Sequence, residues 1–236
     1  MKVSINLIAT NKYVSFLDEV ANSIDQFFFR DSEVLAIVHT NRDLPEELNK
    51  YSRIRFVKNP IEHEPWPAPT LKRFHYFLSA KNIIESTDYS FYIDVDSIFI
   101  KDVGSNILPN TGMIGTIHPC LFSGPGTPER NPESKAYIPY GAQSRYFCGG
   151  FFGGDSTSFL QFSETLRNNI ETDLTKNIVA IWHDESHLNK AFYVNPPEAV
   201  LEHPFAVGEG NGIVTNKTHI LFLDKNRRGG HEFFRN

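Results

Sequence analysis

Residues 3–10 read VSINLIAT and open the chain on a strand: apolar positions alternate and then run together, as in a strand buried on both faces. Asn11 and Lys12 make a loop. Residues 13–29 then carry Val14, Leu17, Val20, Ile24 and Phe28 at helical spacing. An apolar run at 34–39 reads as a second strand, and 54–57 as a short third one. A strand, a helix and two further strands in that order predict an α/β domain whose open, mixed, mostly parallel sheet carries helices on its faces.

The same reading continues outward. Pro65, Pro67 and Pro69 exclude regular structure over 62–69, and Thr70 then stands where it can cap a helix reaching about Ser86. Strands are predicted at 89–93, 98–100, 113–117, 146–152 and 219–223, and helices at 156–170 and 183–192. Residues 119–139 are rich in Gly, Pro, Ser and Asn. They form a loop of a length that is usually functional or mobile. The tail carries Lys225, Arg227, Arg228 and Arg235.

Composition bounds the function. The 236 residues are 40% hydrophobic, which excludes a disordered or fibrous chain. A net charge of −5 gives no support to bulk nucleic-acid binding. Cys120 and Cys148 are too few for a disulfide framework or a four-thiolate zinc site. No apolar run approaches the ~18 residues of a membrane span, and the polar Ser4 and Asn6 break the first apolar stretch, so it is no signal peptide. A soluble, cytoplasmic protein is the expectation.

Three segments point to chemistry. Asp94-Val95-Asp96 closes an apolar strand, and open α/β sheets bind ligands beyond the carboxyl ends of their strands. Two such carboxylates repel unless a cation lies between them. Hard oxygens select Mg²⁺ or Mn²⁺, which also bridge a diphosphate; the plainer alternative is a solvated acidic turn. In 182–190, WHDESHLNK, helical spacing puts His183 with His187, and Glu185 with Asn189, on shared faces. The zinc-protease pattern fails there, because Asp184 stands where Glu must follow the first His. Gly149-Gly150-Phe151-Phe152-Gly153-Gly154 is either a kinked strand or a place of close ligand approach. Lys72, Arg73 and the basic tail are solvated charge one by one, yet a tail of this kind can fold over a diphosphate and shut out water.

Segments 182–190 (WHDESHLNK), 136–139 (AYIP), 115–119 (GTIHP) and 149–154 (GGFFGG) together carry a resemblance. From about Ile8 onward the chain resembles glycosyltransferase family 6, which includes the histo-blood-group A and B transferases and α-1,3-galactosyltransferase. The resemblance implies a GT-A fold and a UDP-galactose or UDP-N-acetylgalactosamine donor. It implies Mn²⁺, with Mg²⁺ as the alternative ion, and transfer with retention to the 3-hydroxyl of a galactoside acceptor. It implies one catalytic domain over 1–236, with a nucleotide-binding half to about 100, an acceptor and catalytic half over about 101–224, and a basic lid at 225–236. Vertebrate members carry a membrane anchor and stem; this chain shows neither and looks like a soluble, bacterial-type catalytic domain. Many bacterial relatives have Asn-x-Asn and work without metal, so Asp94 and Asp96 imply metal dependence here.

By the same resemblance, Ile8, Ala9, Thr10 and Tyr13 fall where uracil and ribose are held. Arg73 falls beside the donor sugar and diphosphate. Asp94 and Asp96 match the metal ligands and, with Val95, contact the nucleotide. Cys148, Gly149 and Gly150 belong to the donor-binding strand. Cys148 and Gly150 are positions that tune galactose against N-acetylgalactosamine, and Gly150 leaves room for a sugar substituent. His118, Thr127 and Trp182 match acceptor contacts. His183 and Asp184 match donor-sugar contacts, and Glu185 matches the catalytic carboxylate, within reach of the acceptor. Lys225 and Arg235 match tail residues that close over the diphosphate. Retention permits a covalent Glu185 adduct or front-face attack beside an ionised Glu185. Two rivals remain in view: a catalytically silent UDP-sugar-binding module on the same fold, and a haloacid dehalogenase-like phosphatase, in which WHDESHLNK has no place.

Overall fold

The computed structural model describes residues 1–142 and 144–235, Arg235 by its backbone alone. The elements in chain order are β1 (Lys2–Ile8), α1 (Leu17–Phe27), β2 (Glu33–Thr40), β3 (Ile54–Pro60), α2 (Ala68–Leu71), α3 (Arg73–Ser79), α4 (Lys81–Ile84), β4 (Tyr89–Ile93), β5 (Ser97–Phe99), β6 (Met113–Ile117), β7 (Phe147–Asp155), α5 (Ser156–Thr175), α6 (His183–Val194), β8 (Ala199–Leu201), β9 (Ala206–Gly208), β10 (Ile220–Phe222) and α7 (His231–Arg235). Seven strands form one sheet in the order β3-β2-β1-β4-β7-β6-β8, and β5-β10-β9 form a second, smaller one. β7 runs antiparallel to both its neighbours; the other pairs of the large sheet are parallel. This is the single α/β domain expected, with a GT-A-type arrangement. Strands from both sides of Ile100 share the large sheet.

Strand order decides where a ligand can sit. The chain winds from β1 outward through β2 to β3, then returns to place β4 on the other side of β1. The β1–β4 junction is therefore a topological switch point, and a crevice opens beyond the carboxyl ends of those two strands. The pattern of β1 suits its central place: Val3, Ile5 and Leu7 enter one apolar cluster, against α1 and the smaller sheet. Phe74, Phe77, Phe152 and Phe159 lead a second cluster on the opposite face, under α3 and α5.

Several elements depart from the expected pattern. Residues 11–16 form a 3₁₀ turn before α1, and α1 stops at Phe27 because Phe29 turns away, with φ 41°, to donate to the Val103 carbonyl (2.7 Å). The helix expected from Thr70 to Ser86 is three short helices, broken at Lys72 and Ala80. Thr70 does not cap it; its hydroxyl donates back to the Pro67 carbonyl at 2.7 Å. The glycines do not end β7, which continues through all four to Asp155. A Cβ on Gly153 would lie 2.3 Å from the Phe91 ring, and one on Gly154 would lie 2.4 Å from the Gly112 carbonyl. These two glycines let β4 and β6 pack close, which is a sheet-packing requirement and no ligand contact.

Candidate active site

The crevice is a cleft of about 250 Å³. Ile8, Thr10 and Tyr13 line it from the end of β1, Arg73 from α3, and Tyr92, Asp94, Val95 and Asp96 from the end of β4. Lys225, His231 and Phe234 close it from the tail, and His63, Glu64 and Trp66 from the segment before α2. Ala9 stands apart: it is fully buried in the core, and its N–H donates to the His39 carbonyl (2.9 Å). The tail is anchored by Phe234, 3% exposed, whose ring packs on Tyr13 and Phe16 at 5.3 and 4.9 Å. The side chain of Arg235 lies outside the described residues.

Arg73 organises the charge. Starting α3 at the Lys72 break, it is 6% exposed and lies over the Tyr92 ring at 4.2 Å. Its Nη1 donates to the Gly149 carbonyl (2.5 Å) and reaches Asp184 Oδ2 at 2.9 Å, while its Nη2 reaches Asp94 Oδ1 at 3.4 Å. Burial alone would depress this guanidinium, but Asp184, Tyr92, Asp94 and Glu185 around it raise its pKa instead. It is therefore a permanent cation.

The carboxylates around Arg73 are held in strained electrostatic company. Burial, followed by the charge of Asp96, raises Asp94 against the pull of Arg73. Burial pushes Asp184 up to about 6 and Glu185 up to about 7, although the Gly149 N–H donates to Glu185 Oε2 (2.7 Å). The Tyr146 hydroxyl is fully buried and faces Glu185 and Thr127 without a well-formed hydrogen bond to either; burial and then Glu185 push it well up. Burial and then Glu185 also push the Cys148 thiol up to about 12, so it is a neutral packing group.

Gly149 and Gly150 lie between the two acidic groups. A Cβ on Gly149 would be 3.5 Å from Glu185 Oε2, and one on Gly150 would be 3.1 Å from Asp94 Oδ2. The space beside Gly150 is already taken, because the same Cβ would lie 2.6 Å from the Phe222 ring.

A divalent cation fits the donor set. Asp94 uses Oδ1 for Tyr92 and Arg73, and Asp96 uses Oδ2 for Lys225. Among the described residues, Asp94 Oδ2 and Asp96 Oδ1 take part in no hydrogen bond or ion pair. Two carboxylate oxygens with phosphate and water to complete the shell are what Mg²⁺ or Mn²⁺ requires. Among the described residues, the cations paired with Asp94, Asp184 and Asp96 are Arg73 and Lys225.

On the other side of Glu185, Trp182 Nε1 donates to Thr127 Oγ1 (2.6 Å), and the His118 ring meets Tyr146 edge-on at 5.7 Å. Burial lowers His118 to about 4, so it is a neutral imidazole. His118, Thr127 and Trp182 therefore gather around Tyr146 and Glu185. His183 does not share a face with His187. It opens α6 at φ 51°, a backbone region that a non-glycine residue rarely adopts, and sets its ring edge-on to Trp66 at 4.8 Å. His187 is buried with its Nε2 3.6 Å from Asp173. Asn189 serves structure, bonding the Phe147 backbone N–H and carbonyl at 2.9 and 2.8 Å.

Tyr92, Tyr146 and Trp66 complete the site, and none of the three stands out in the sequence. Tyr92 was recoverable, since residues two apart on a strand share a face and Tyr92 precedes Asp94 by two. Tyr146 gave no local signal, because its neighbours come from distant segments.

Known proteins place this architecture. The profile of glycosyltransferase family 6 matches residues 1–221. The chain is 31% identical over 206 residues to histo-blood group ABO system transferase 2 of Rattus norvegicus, covering 84% of this chain and 61% of that protein. It is 28% identical over 204 residues to the O-antigen biosynthesis glycosyltransferase WbnI of Escherichia coli, covering 84% of each. It is 27% identical over 208 residues to globoside alpha-1,3-N-acetylgalactosaminyltransferase 1 of Homo sapiens, covering 85% of this chain and 59% of that protein. The match thus spans about three fifths of the rat and human relatives. The chain belongs to glycosyltransferase family 6. Among the described residues, no helix is long and apolar enough to cross a membrane.

Proposed function

We propose that the protein transfers galactose or N-acetylgalactosamine from its UDP conjugate to the 3-hydroxyl of a galactoside. The transfer retains configuration, gives an α-1,3 linkage, and uses Mn²⁺ or Mg²⁺. The observation that carries this reading is the Arg73 bridge. One buried guanidinium touches both Asp94 and Asp184, so the carboxylate suited to a cation-bound diphosphate and the one suited to a sugar meet on a single cation. Family membership supports glycosyl transfer, and the name of the human relative supports an α-1,3 linkage and N-acetylgalactosamine.

In this reading, Ile8, Thr10 and Tyr13 hold the uridine, and Lys225 with the tail shuts the diphosphate in. The cation, when bound by Asp94 and Asp96, stabilises the charge that builds on the departing diphosphate. Arg73 and Lys225 add fixed positive charge on that same side. Glu185 faces the anomeric carbon from the opposite side, its carboxylate oriented by the Gly149 N–H. It meets the developing positive charge there, as nucleophile or as counter-charge for front-face attack. Both routes require it ionised. Asp184 fixes the ring through its hydroxyls, a positioning task. The wall of His118, Thr127 and Trp182 receives the galactoside.

The test is UDP release from a panel of UDP-sugars, with and without lactose-type acceptors, in Mn²⁺ and in chelator. Release from UDP-galactose or UDP-N-acetylgalactosamine, stimulated by acceptor and by Mn²⁺, is expected. No release from any UDP-sugar would defeat the reading.

A further inference from the structure

The Glu185-bearing helix α6 and the loop carrying Thr127 are joined by two rungs. One is the Trp182–Thr127 hydrogen bond at 2.6 Å. The other comes from Glu129, a residue outside the cleft and only 8% exposed. Its Oε2 accepts from the N–H of Ile181, immediately before Trp182, and its Oε1 accepts from the N–H of Asn131, both at 2.7 Å. The Glu129 carbonyl also accepts from the Ile138 N–H at 3.0 Å, closing the loop on itself. Asp173, on α5, bolts the same loop down by accepting from the Ser134 hydroxyl (2.5 Å) and the Lys135 N–H (2.7 Å).

The chemistry of Glu129 is specific. Both partners are backbone donors, and an ionised carboxylate is the side chain that presents acceptors at both ends. Glutamine keeps the shape but turns an NH₂ against one of the two N–H groups. The lost bond is charge-assisted and part-buried, and its N–H donor loses its protein partner. Because the two rungs lie two residues apart on one strand of chain and one apart on the other, loosening the first frees the second.

We propose that Glu129 is the positioning residue of the acceptor wall: its carboxylate holds the Thr127 loop against the approach to α6, so that Thr127 and Trp182 meet at the distance an acceptor sugar requires. The proposal rests on the glycosyl-transfer reading of the site. It assigns Glu129 no contact with either substrate. Donor chemistry runs through Arg73 and Glu185, which bond the Gly149 backbone, and through Asp184, which Arg73 holds; none of these contacts involves Glu129, so the two half-functions separate.

The experiment compares wild type, Glu129→Gln, Thr127→Val and the double variant. UDP release without acceptor reports the donor side, and the acceptor KM reports the wall. Glu129→Gln should raise the acceptor KM about tenfold, the order set by one charge-assisted hydrogen bond. Acceptor-independent UDP release should stay within about twofold, and the double variant should add little to either single one. A parallel fall of both rates in Glu129→Gln, or independent effects in the double variant, overturns the proposal. A third readout uses tryptophan emission, since the chain has only Trp66 and Trp182. In a Trp66→Phe background, Glu129→Gln should shift Trp182 emission to the red and increase acrylamide quenching; unchanged emission overturns the proposal. Should wild type release no UDP from any UDP-sugar, the functional reading fails by itself, and the emission result still decides whether Glu129 holds Trp182.

Discussion

Replacing Glu185 by glutamine should make the protein more stable and nearly inactive, with a pH signature that belongs to this carboxylate. In the folded protein its pKa is about 7 against an ordinary value of 4.5. The raised value means that folding penalises the ionised form. A tenfold change in a group's acidity corresponds to about 1.4 kcal/mol. Glu185 keeps a partly open side toward solvent, which screens part of that penalty, so a net cost of about 1–3 kcal/mol above pH 7 is the expected size. The sign follows from proton counts. Between about pH 4.5 and 7 the folded protein holds the proton that the unfolded chain has released, so the wild type loses stability as pH rises through that window. Glutamine has no proton to lose. The variant should therefore exceed wild type by about 1–3 kcal/mol at pH 8, converge with it as pH falls, and match it near pH 4.5. For a chain of this size that gap is roughly 2–12 °C in Tm. Urea unfolding at about pH 8 and about pH 5, followed by fluorescence, reads it directly. Transfer should fall about a hundredfold or more, because a charge aimed at the transition state is gone while the Gly149 hydrogen bond survives. Equal stability at both pH values, or a variant less stable than wild type in the alkaline arm, would refute the electrostatic account of the site.

Asp96→Asn should abolish Mn²⁺ stimulation of UDP release, measured by titrating the metal; undiminished wild-type activity in chelator would contradict a metal role. Ending the chain after Leu223 removes Lys225 and the Phe234 anchor, and should raise the KM for the UDP-sugar or lower kcat. Unaltered kinetics would dismiss the tail as a lid. Gly150→Ala places a Cβ 2.6 Å from the Phe222 ring and 3.1 Å from Asp94 Oδ2. It should cost about 1–3 kcal/mol by overpacking, read as a lower urea midpoint with the slope unchanged. An unmoved midpoint would mean that Phe222 yields freely and does not define that wall.

What the sequence disclosed follows from the range of the forces involved. The order β1, α1, β2, β3 was legible because burial writes its own period into each segment, as at Val3, Ile5 and Leu7. The acidic pair was legible because it terminates an apolar strand. The break at Lys72 was not, since no residue there forbids a helix; it brings Arg73 inward to Asp184, a partner distant in sequence. The glycines of β7 were ambiguous for the same reason: Phe91 and the Gly112 carbonyl, which need the space at Gly153 and Gly154, come from other segments. Helical periodicity misplaced His183, because it assumes regular dihedrals that the first residue of α6 does not adopt. Glu129 carried no local mark either. Its partner Ile181 is distant in sequence, and only the folded chain sets the two side by side.

The most direct test is a crystal structure with an unreactive UDP-hexose analogue and Mn²⁺. The diphosphate and cation should lie at Asp94 and Asp96, with the anomeric carbon about 3–3.5 Å from a Glu185 carboxylate oxygen. A sugar pointing away from α6, with its reacting carbon beyond the reach of Glu185, would contradict the proposed chemistry.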